Sequence, residues 1–248
     1  MGIITIDMTR NKIKKDIKTI DINDTFGVAD NERTDYTISW YLIAQENLNT
    51  AKVLLNNKRI YHCVFFLQQS IECIIKGILL ENRFIENVKD FNHKPEDAIE
   101  QFYIQLDSES IHICNNIKKE MCSIVDFESR LIQMAKIANS YTIQYTNLIQ
   151  HCPSEFMIDS NVLPAIGLDA PCKKEVIYNR LQKNHYTNTL IYCFAILFNN
   201  VQQNTRYPIK ECEKIMPSEK YSNTPKTVNG LNSIIRCFEF IIRTILYE

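Results

Sequence analysis

Residues 65–76 read Phe65-Phe66-Leu67-Gln68-Gln69-Ser70-Ile71-Glu72-Cys73-Ile74-Ile75-Lys76. In a helix, Gln68, Glu72 and Lys76 recur every four residues and Gln69 lies three before Glu72, so all four share one face. Most of the remaining side chains are apolar, and a helix of that composition is normally buried on most sides. The stretch therefore predicts a core helix with one polar face.

The charged face of this helix has two interpretations. An unpaired buried charge costs several kcal/mol, roughly, so Glu72 and Lys76 must be paired, hydrogen-bonded or solvated. In the first interpretation they form an ion pair on a solvated edge. In the second they belong to the wall of a polar groove. Glu72 is then mostly buried and bonded to a basic side chain, and Arg206 is the favoured partner.

The composition favours a helix-rich globular protein. The chain has 248 residues and is 45% hydrophobic, with only five glycines and seven prolines, which suits long helices with few tight turns. Five glycines leave no phosphate-cradling loop or dinucleotide fold. The net charge of −1 provides no overall field that would attract nucleic acid or membranes. Binding of either would need a local patch.

The nine cysteines contain no C-x-x-C pair, and most lie in apolar stretches, so we interpret them as buried reduced thiols. No metal site and no cofactor are expected. The longest apolar run, residues 190–198, is half of the ~18–20 residues that a membrane span needs. The N-terminus also lacks the apolar run of a signal peptide. We therefore expect a soluble, cytoplasmic protein that does not enter a membrane.

Periodicity predicts an all-α fold with a definite order of helices. The expected helices cover about residues 35–55, 60–83, 108–150 (as one or two helices), 173–200 and 226–246, and another begins near Pro95. The short connection after the first predicted helix makes the first two antiparallel neighbours. From His151 to Ala170 the helical pattern breaks, and prolines and a glycine indicate a loop of about twenty residues, which is either functional or mobile.

Residues 1–34 form an N-terminal arm, partly disordered in this interpretation, in which a strand at residues 2–6 is possible. Its stretch 10–18 concentrates basic side chains on a short amphipathic pattern. The stretch is either a solvated charged face or an arm that contacts phosphates.

Three sequence elements in the right order resemble the HEPN domain family. The family motif Gln-Gln-x-x-Glu-x-x-x-Lys matches residues 68–76, and the pattern from Trp40 to Leu55 is similar to the family's first helix. Thr205-Arg206-Tyr207-Pro208 resembles an element before the family's last helix. The resemblance covers about residues 36–95 and 186–248. It implies one domain over residues 35–248, a helical bundle of four to five core helices, with a helical insertion at about 100–185.

The resemblance also implies partners and a possible activity. HEPN proteins often form homodimers, and a nucleotidyltransferase is a common partner protein. Active members are ribonucleases that need no metal and use an Arg-x(4–6)-His motif. In such a site the histidine accepts a proton from a ribose 2′-hydroxyl, while the arginine holds the phosphate as negative charge develops.

One literal match to the catalytic motif is Arg180-Leu181-Gln182-Lys183-Asn184-His185. Leu181 is apolar where the family is usually polar, and the motif precedes the penultimate helix instead of the last one. At the expected place Arg206 is followed by no histidine at residues 210–212. Arg180 and His185 are therefore either a catalytic pair or ordinary surface residues.

Two further residues are binding candidates. Arg206, restrained by the following Tyr207-Pro208, either forms an ion pair with Glu72 or leaves its guanidinium group free for a phosphate. His93 follows the second predicted helix where relatives often carry a histidine, although Lys94 and Pro95 depart from the family pattern. A lone histidine there is more often a cap or a core hydrogen bond than a catalyst.

Two functions from different classes follow from these residues. In the first, the chain is a non-catalytic HEPN module in a prokaryotic toxin–antitoxin or defence setting. It would bind RNA, a nucleotide or a partner protein through Gln69, Glu72, Lys76 and Arg206, with His93 nearby. In the second, it is a metal-independent ribonuclease toxin that uses Arg180 and His185. A scaffold whose insertion mediates assembly is a third possibility without a feature of its own.

Overall fold

Seven α-helices make up nearly all of the described chain in the computed structural model. The structure describes residues 35–85, 95–106, 108–150, 152–154, 156, 173–199 and 221–247, and it has no strand among them. The helices are α1 Asp35–Asn56, α2 Ile60–Glu81, α3 Pro95–Leu106, α4 Ser108–Cys122, α5 Phe127–Gln150, α6 Lys174–Leu197 and α7 Pro225–Tyr247. The predicted all-α class is therefore confirmed.

Helices α1 and α2 form an antiparallel hairpin with a very short connection. Lys58 turns the chain with a left-handed backbone, φ 59°. The backbone N–H of Lys58 donates to Leu55 O at 2.9 Å, and that of Arg59 donates to Leu54 O at 2.8 Å. These bonds satisfy carbonyls at the end of α1, as in other helix C-caps with a left-handed residue. The turn directs α2 back along α1.

The two helices approach closely because small residues line their contact. Ala44 and Ala51 of α1 are fully buried, and Ser70 Oγ of α2 donates to Ala44 O at 2.9 Å. A Cβ added at Gly77 would lie 2.3 Å from Cε1 of Tyr41. The Tyr41 hydroxyl donates to Glu81 Oε2 at 2.6 Å, so its ring is held in that place. Gly77 therefore leaves room for an aromatic ring that α1 inserts against α2.

The remaining helices complete one continuous core. Helix α6 is buried along its second half and packs on α2, α3, α4, α5 and α7, and α7 also packs on α1 and α5. Phe194 of α6 stacks on Phe238 of α7, with ring centroids 4.6 Å apart. Arg130 of α5 donates to Ile196 O at 3.0 Å, so a cation lies at the carboxyl end of α6. At the rim, Lys52 of α1 pairs with Glu239 of α7 at 2.5 Å.

The helix bounds agree with the predicted pattern to within a few residues. The region 108–150, which the sequence left as one or two helices, is two, because the chain turns at residues 123–126. The arm at residues 1–34, with its candidate strand and basic stretch, lies outside the described residues, and so does most of the loop at 151–170. The insertion at about 100–185 stays an interpretation of the chain's organisation.

Helix α2 is long and apolar enough to cross a membrane by length and composition alone. However, 72% of its most apolar window is buried against the rest of the protein. That burial is typical of a core helix. The described cysteines are free thiols and most are buried, which matches the interpretation of them as reduced core residues.

The contact between Gly77 and Tyr41 predicts a specific loss of stability. Gly77→Ala should destabilise the protein by about 2 kcal/mol, because overpacking against Tyr41 outweighs the gain in helix propensity. Urea unfolding followed by circular dichroism measures this change. Combined with Tyr41→Leu, the same substitution should cost less than the sum of the two single changes. Strict additivity would contradict the close contact.

Candidate functional site: a buried polar wall on α2

Three polar side chains on one face of α2, spaced four residues apart, are buried in the helix bundle. Gln68 is 2% exposed, Glu72 3% and Lys76 8%. Lys76 Nζ lies 2.7 Å from Glu72 Oε1 in an ion pair, and Gln68 Nε2 donates to Glu72 Oε2 at 2.9 Å. Both carboxylate oxygens are therefore engaged within one helix face. The interpretation as a pair on a solvated edge is wrong, and the expectation of a buried, paired Glu72 is confirmed.

The hydrogen-bond chain continues to a side chain that solvent reaches. Gln69 Nε2 donates to Gln68 Oε1, and Gln69 is the one of these four residues that is only half-buried. The order of bonding is thus Gln69, Gln68, Glu72 and Lys76. We call these four residues the α2 wall. A contact made at Gln69 would act on the buried ion pair through Gln68.

Helix α1 adds an aromatic residue to the α2 wall. The Lys76 ammonium lies 5.1 Å from the centroid of the Trp40 ring, within the range of a cation–π interaction. Tyr36 packs edge-on against Trp40, with centroids 6.2 Å apart. The buried Trp40 Nε1–H has no hydrogen-bond acceptor among the described residues. Such a donor is costly to leave unsatisfied, by roughly 1–3 kcal/mol.

Cys73, between Glu72 and Ile74, is not poised as a nucleophile. Burial raises the pKa of its thiol to about 11, and the nearby Lys76 and Glu72 charges act on it in opposite directions. Its sulfur accepts a long contact of 3.9 Å from Asn47 Nδ2. A thiol with that pKa stays protonated at neutral pH and reacts slowly. The chemistry of the α2 wall is therefore hydrogen bonding and charge, not covalent catalysis.

Arg180 and His185 both lie within α6, the penultimate helix, so the expectation that their motif precedes this helix is wrong. Arg180 lines a cleft between α5 and α6, and the backbone carbonyl of His185 accepts a hydrogen bond from Thr189 Oγ1 at 2.9 Å. Positions five apart on a continuous helix are about 140° apart around its axis, so the two side chains leave α6 on different sides. The four residues of the α2 wall lie on another helix.

Arg206 and His93, the other two predicted binding residues, lie outside the described residues. The bond between Arg206 and Glu72 therefore stays a prediction. The sequence analysis did not identify two residues as site candidates. These are Trp40, whose ring covers Lys76, and Lys183, which lines the same cleft as Arg180. Lys183 could have been found from its spacing, because it follows Arg180 by three residues on one helix.

No group of three or more histidine, cysteine or carboxylate side chains within the described ranges could hold a metal ion.

The fold and the α2 wall define the chain as an all-helical bundle built on an antiparallel hairpin with a buried Gln-Gln-x-x-Glu-x-x-x-Lys face. Residues 38–112, which include that hairpin, match the model of the HEPN domain family. The chain therefore carries a HEPN domain over this stretch, as the resemblance indicated. Neither the curated proteins nor the solved structures contain a match to the sequence.

Because Glu72 and Lys76 are buried as a pair, removing one charge should cost more stability than removing both. Glu72→Ala should destabilise the protein by about 3–5 kcal/mol, because it removes the carboxylate that pairs with buried Lys76. The double variant Glu72→Leu/Lys76→Met should be closer to the wild type, because it removes both charges and keeps much of the volume. Chemical denaturation measures both. A double variant less stable than Glu72→Ala would contradict this account.

Proposed function

We propose that the chain is a non-catalytic HEPN module that binds RNA through the α2 wall. Arg206 and His93 are proposed to complete the site. The family resemblance supports homodimerisation and a nucleotidyltransferase as a partner protein. We place the protein in the cytoplasm of a prokaryote, in a toxin–antitoxin or defence system.

The unsatisfied indole N–H of Trp40 is the observation that carries this proposal. It lies in the same side chain that covers the Lys76 ammonium, so a donor and a cation are close together. An acceptor atom of an incoming base would satisfy the N–H, and the ion-paired Lys76 beneath the ring holds Trp40 in place. Gln69 adds an amide at the partly exposed end of the wall, and amides read base edges.

The geometry of the acidic group favours binding over catalysis. A general base needs a lone pair directed at the substrate proton. Both oxygens of Glu72 already accept hydrogen bonds, from Lys76 and Gln68, and the carboxylate is buried. Glu72 therefore serves to orient Gln68 and to hold Lys76 in place.

A metal-independent ribonuclease that uses Arg180 and His185 is the second candidate. It is favoured by the position of Arg180 beside Lys183 in a cleft, where two cations could hold a scissile phosphate. The divergence of Arg180 and His185 around α6 counts against it, because the base and the phosphate-holding group must meet at one nucleotide.

Gln69, the half-buried residue of the α2 wall, is the position at which the RNA-binding proposal is tested. Gln69→Ala should weaken binding of a fluorescein-labelled single-stranded RNA by about three- to tenfold, as expected for one lost hydrogen bond. Fluorescence anisotropy measures the affinity. Gln144→Ala, an exposed glutamine on α5, is the matched control and should bind as the wild type does. Equal affinities for all three proteins, or no binding at all, would refute the proposal.

The ribonuclease alternative makes a separate prediction. Purified protein in EDTA should leave the RNA intact, with no products that carry 2′,3′-cyclic phosphate ends. Denaturing gels and end-group analysis detect such products. Cleavage that is lost in His185→Ala and in Arg180→Ala would establish the second candidate instead, since loss of a general base costs about 10²–10⁴-fold in rate.

A further inference from the structure

A groove lies between the last two turns of α1 and residues 229–239 of α7. Its volume is about 540 Å³, which is within the range of ligand-binding clefts in proteins. Two of its lining side chains, Leu55 of α1 and Ile235 of α7, are apolar and buried. The other lining residues are polar or charged. We call this feature the α1–α7 groove.

Three asparagine side chains line the α1–α7 groove. Asn56 belongs to α1, Asn229 and Asn232 belong to α7, and all three are exposed. None of these side chains forms a hydrogen bond with another residue in the part of the chain that the structure describes. A carboxamide has a donor and an acceptor in one plane, so it can pair with an N–H and a C=O at the same time. An extended peptide presents that pair of backbone groups on one edge at every second residue.

The spacing of polar residues along α7 matches an extended chain. Asn229, Asn232 and Arg236 are three and four residues apart, so they share one face of the helix. Between Asn229 and Arg236 the helix rises by roughly 10.5 Å. Three residues of an extended chain cover roughly 10 Å. A segment of about three to four residues therefore reaches all three side chains.

The groove also contains a cation without a carboxylate partner among the described residues. Glu239, three residues from Arg236 on α7, is paired with Lys52 of α1 at 2.5 Å. The exposed Arg236 donates its Nε–H to Asn232 O of the same helix at 3.4 Å, which leaves its two terminal nitrogens available. Two cations and one carboxylate give the groove one net positive charge. A carboxylate is the group that a guanidinium binds in bidentate geometry.

The lining of the groove favours a peptide over a nucleic acid. None of the described residues that line it is aromatic, whereas grooves that bind single strands stack the bases on aromatic side chains. One unpaired cation also provides little attraction for a chain of phosphates. Leu55 and Ile235 instead provide apolar surface for an aliphatic side chain.

We propose that the α1–α7 groove binds an extended, acidic segment of a partner protein. The segment runs along α7, and its backbone is hydrogen-bonded to Asn229 and Asn232. A carboxylate of the segment pairs with Arg236, and an aliphatic side chain next to it lies against the apolar part of the groove. The affinity comes from the carboxylate and the apolar contact, and the amides fix the extended conformation.

The groove is remote from the α2 wall. Asn56 follows Trp40 by 16 residues, which corresponds to roughly 24 Å along α1. Peptide binding therefore does not depend on the proposed RNA binding at the α2 wall.

Selection from a random heptapeptide phage library on the immobilised full chain tests the proposal without prior choice of the partner. The enriched peptides should contain aspartate or glutamate, and selection on Arg236→Met should not enrich them. The most enriched peptide is then synthesised and titrated calorimetrically. Arg236→Met should weaken its binding by about tenfold. Lys136→Met removes one positive charge from an exposed position on α5 and should bind as the wild type does.

Methylation of the peptide's backbone amides, one at a time, tests the role of the asparagines. Removal of a donor that faces α7 should weaken binding to the wild-type protein by about three- to tenfold, and the loss should recur at alternate residues. Asn232→Ala should cause a similar loss and make one of these methyl groups harmless, because the two changes remove the same hydrogen bond. Asn139→Ala, at an exposed asparagine of α5, is the matched control.

Three results would overturn the proposal. They are a selection that enriches no acidic peptide, the same affinity of the selected peptide for Arg236→Met, and methylated peptides that all bind as the parent does. The last comparison uses the wild-type protein and so does not depend on the folding of a variant. A fourth result, weaker binding of single-stranded RNA by Arg236→Met, would assign the groove to nucleic acid instead.

Because this test changes α7 and the RNA-binding test changes α2, either proposal can fail alone. Peptide binding without any effect of Gln69→Ala on RNA would retain the groove and reject the α2 wall. Loss of RNA binding in Gln69→Ala with no selected peptide would do the reverse.

Discussion

The close contact between α1 and α2 is the constraint on which the rest of the structure depends. Gly77 and Ala44 let the helices approach until Tyr41 lies directly against the α2 backbone. That approach fixes the neighbouring Trp40 over the Lys76 ammonium. The Trp40 ring of α1 and the Glu72 carboxylate therefore both stabilise the buried Lys76 charge, so the hairpin and the α2 wall form together. Removing the close approach would expose the ion pair before it affected any other part of the core.

The α2 wall and the cleft between α5 and α6 use polar groups in opposite ways. In the α2 wall, opposite charges neutralise one another and the orphan donor is an indole N–H. In the cleft, like charges gather around Lys183 and the orphan is the Asn179 amide oxygen. The first arrangement pairs its charges internally, whereas in the second burial and the neighbouring positive charges lower the pKa of Lys183.

Much of the fold could be predicted from the sequence, because long helices with strong apolar periodicity determine their own bounds. The polar face of α2 could also be predicted, since Gln68, Glu72 and Lys76 are spaced for one face. Two features could not be predicted from the sequence, namely the burial of that face and the cleft between α5 and α6. The burial of that face depends on Trp40, a residue on another helix, and no local pattern encodes which ring covers which charge. The cleft depends on how α5 packs on α6, where Tyr145 stacks on Tyr186, a tertiary contact between residues 41 positions apart in the chain.

Charged groups on both sides of helix α1 differ in their contact with solvent: an ion pair joins α1 to α7, and on the other side Trp40 of α1 covers the ammonium of the ion pair within α2. Lys52 and Glu239 are each 43% exposed, whereas Lys76 and Glu72, beneath Trp40, are nearly inaccessible. Mobile ions screen exposed charges over about 10 Å at 0.1 M salt and reach buried pairs far less. Rising ionic strength therefore weakens the hold of α7 on α1 and leaves that of α2 almost unchanged. The hairpin is the salt-resistant unit of the molecule, and the contact between α1 and α7 is its salt-sensitive edge.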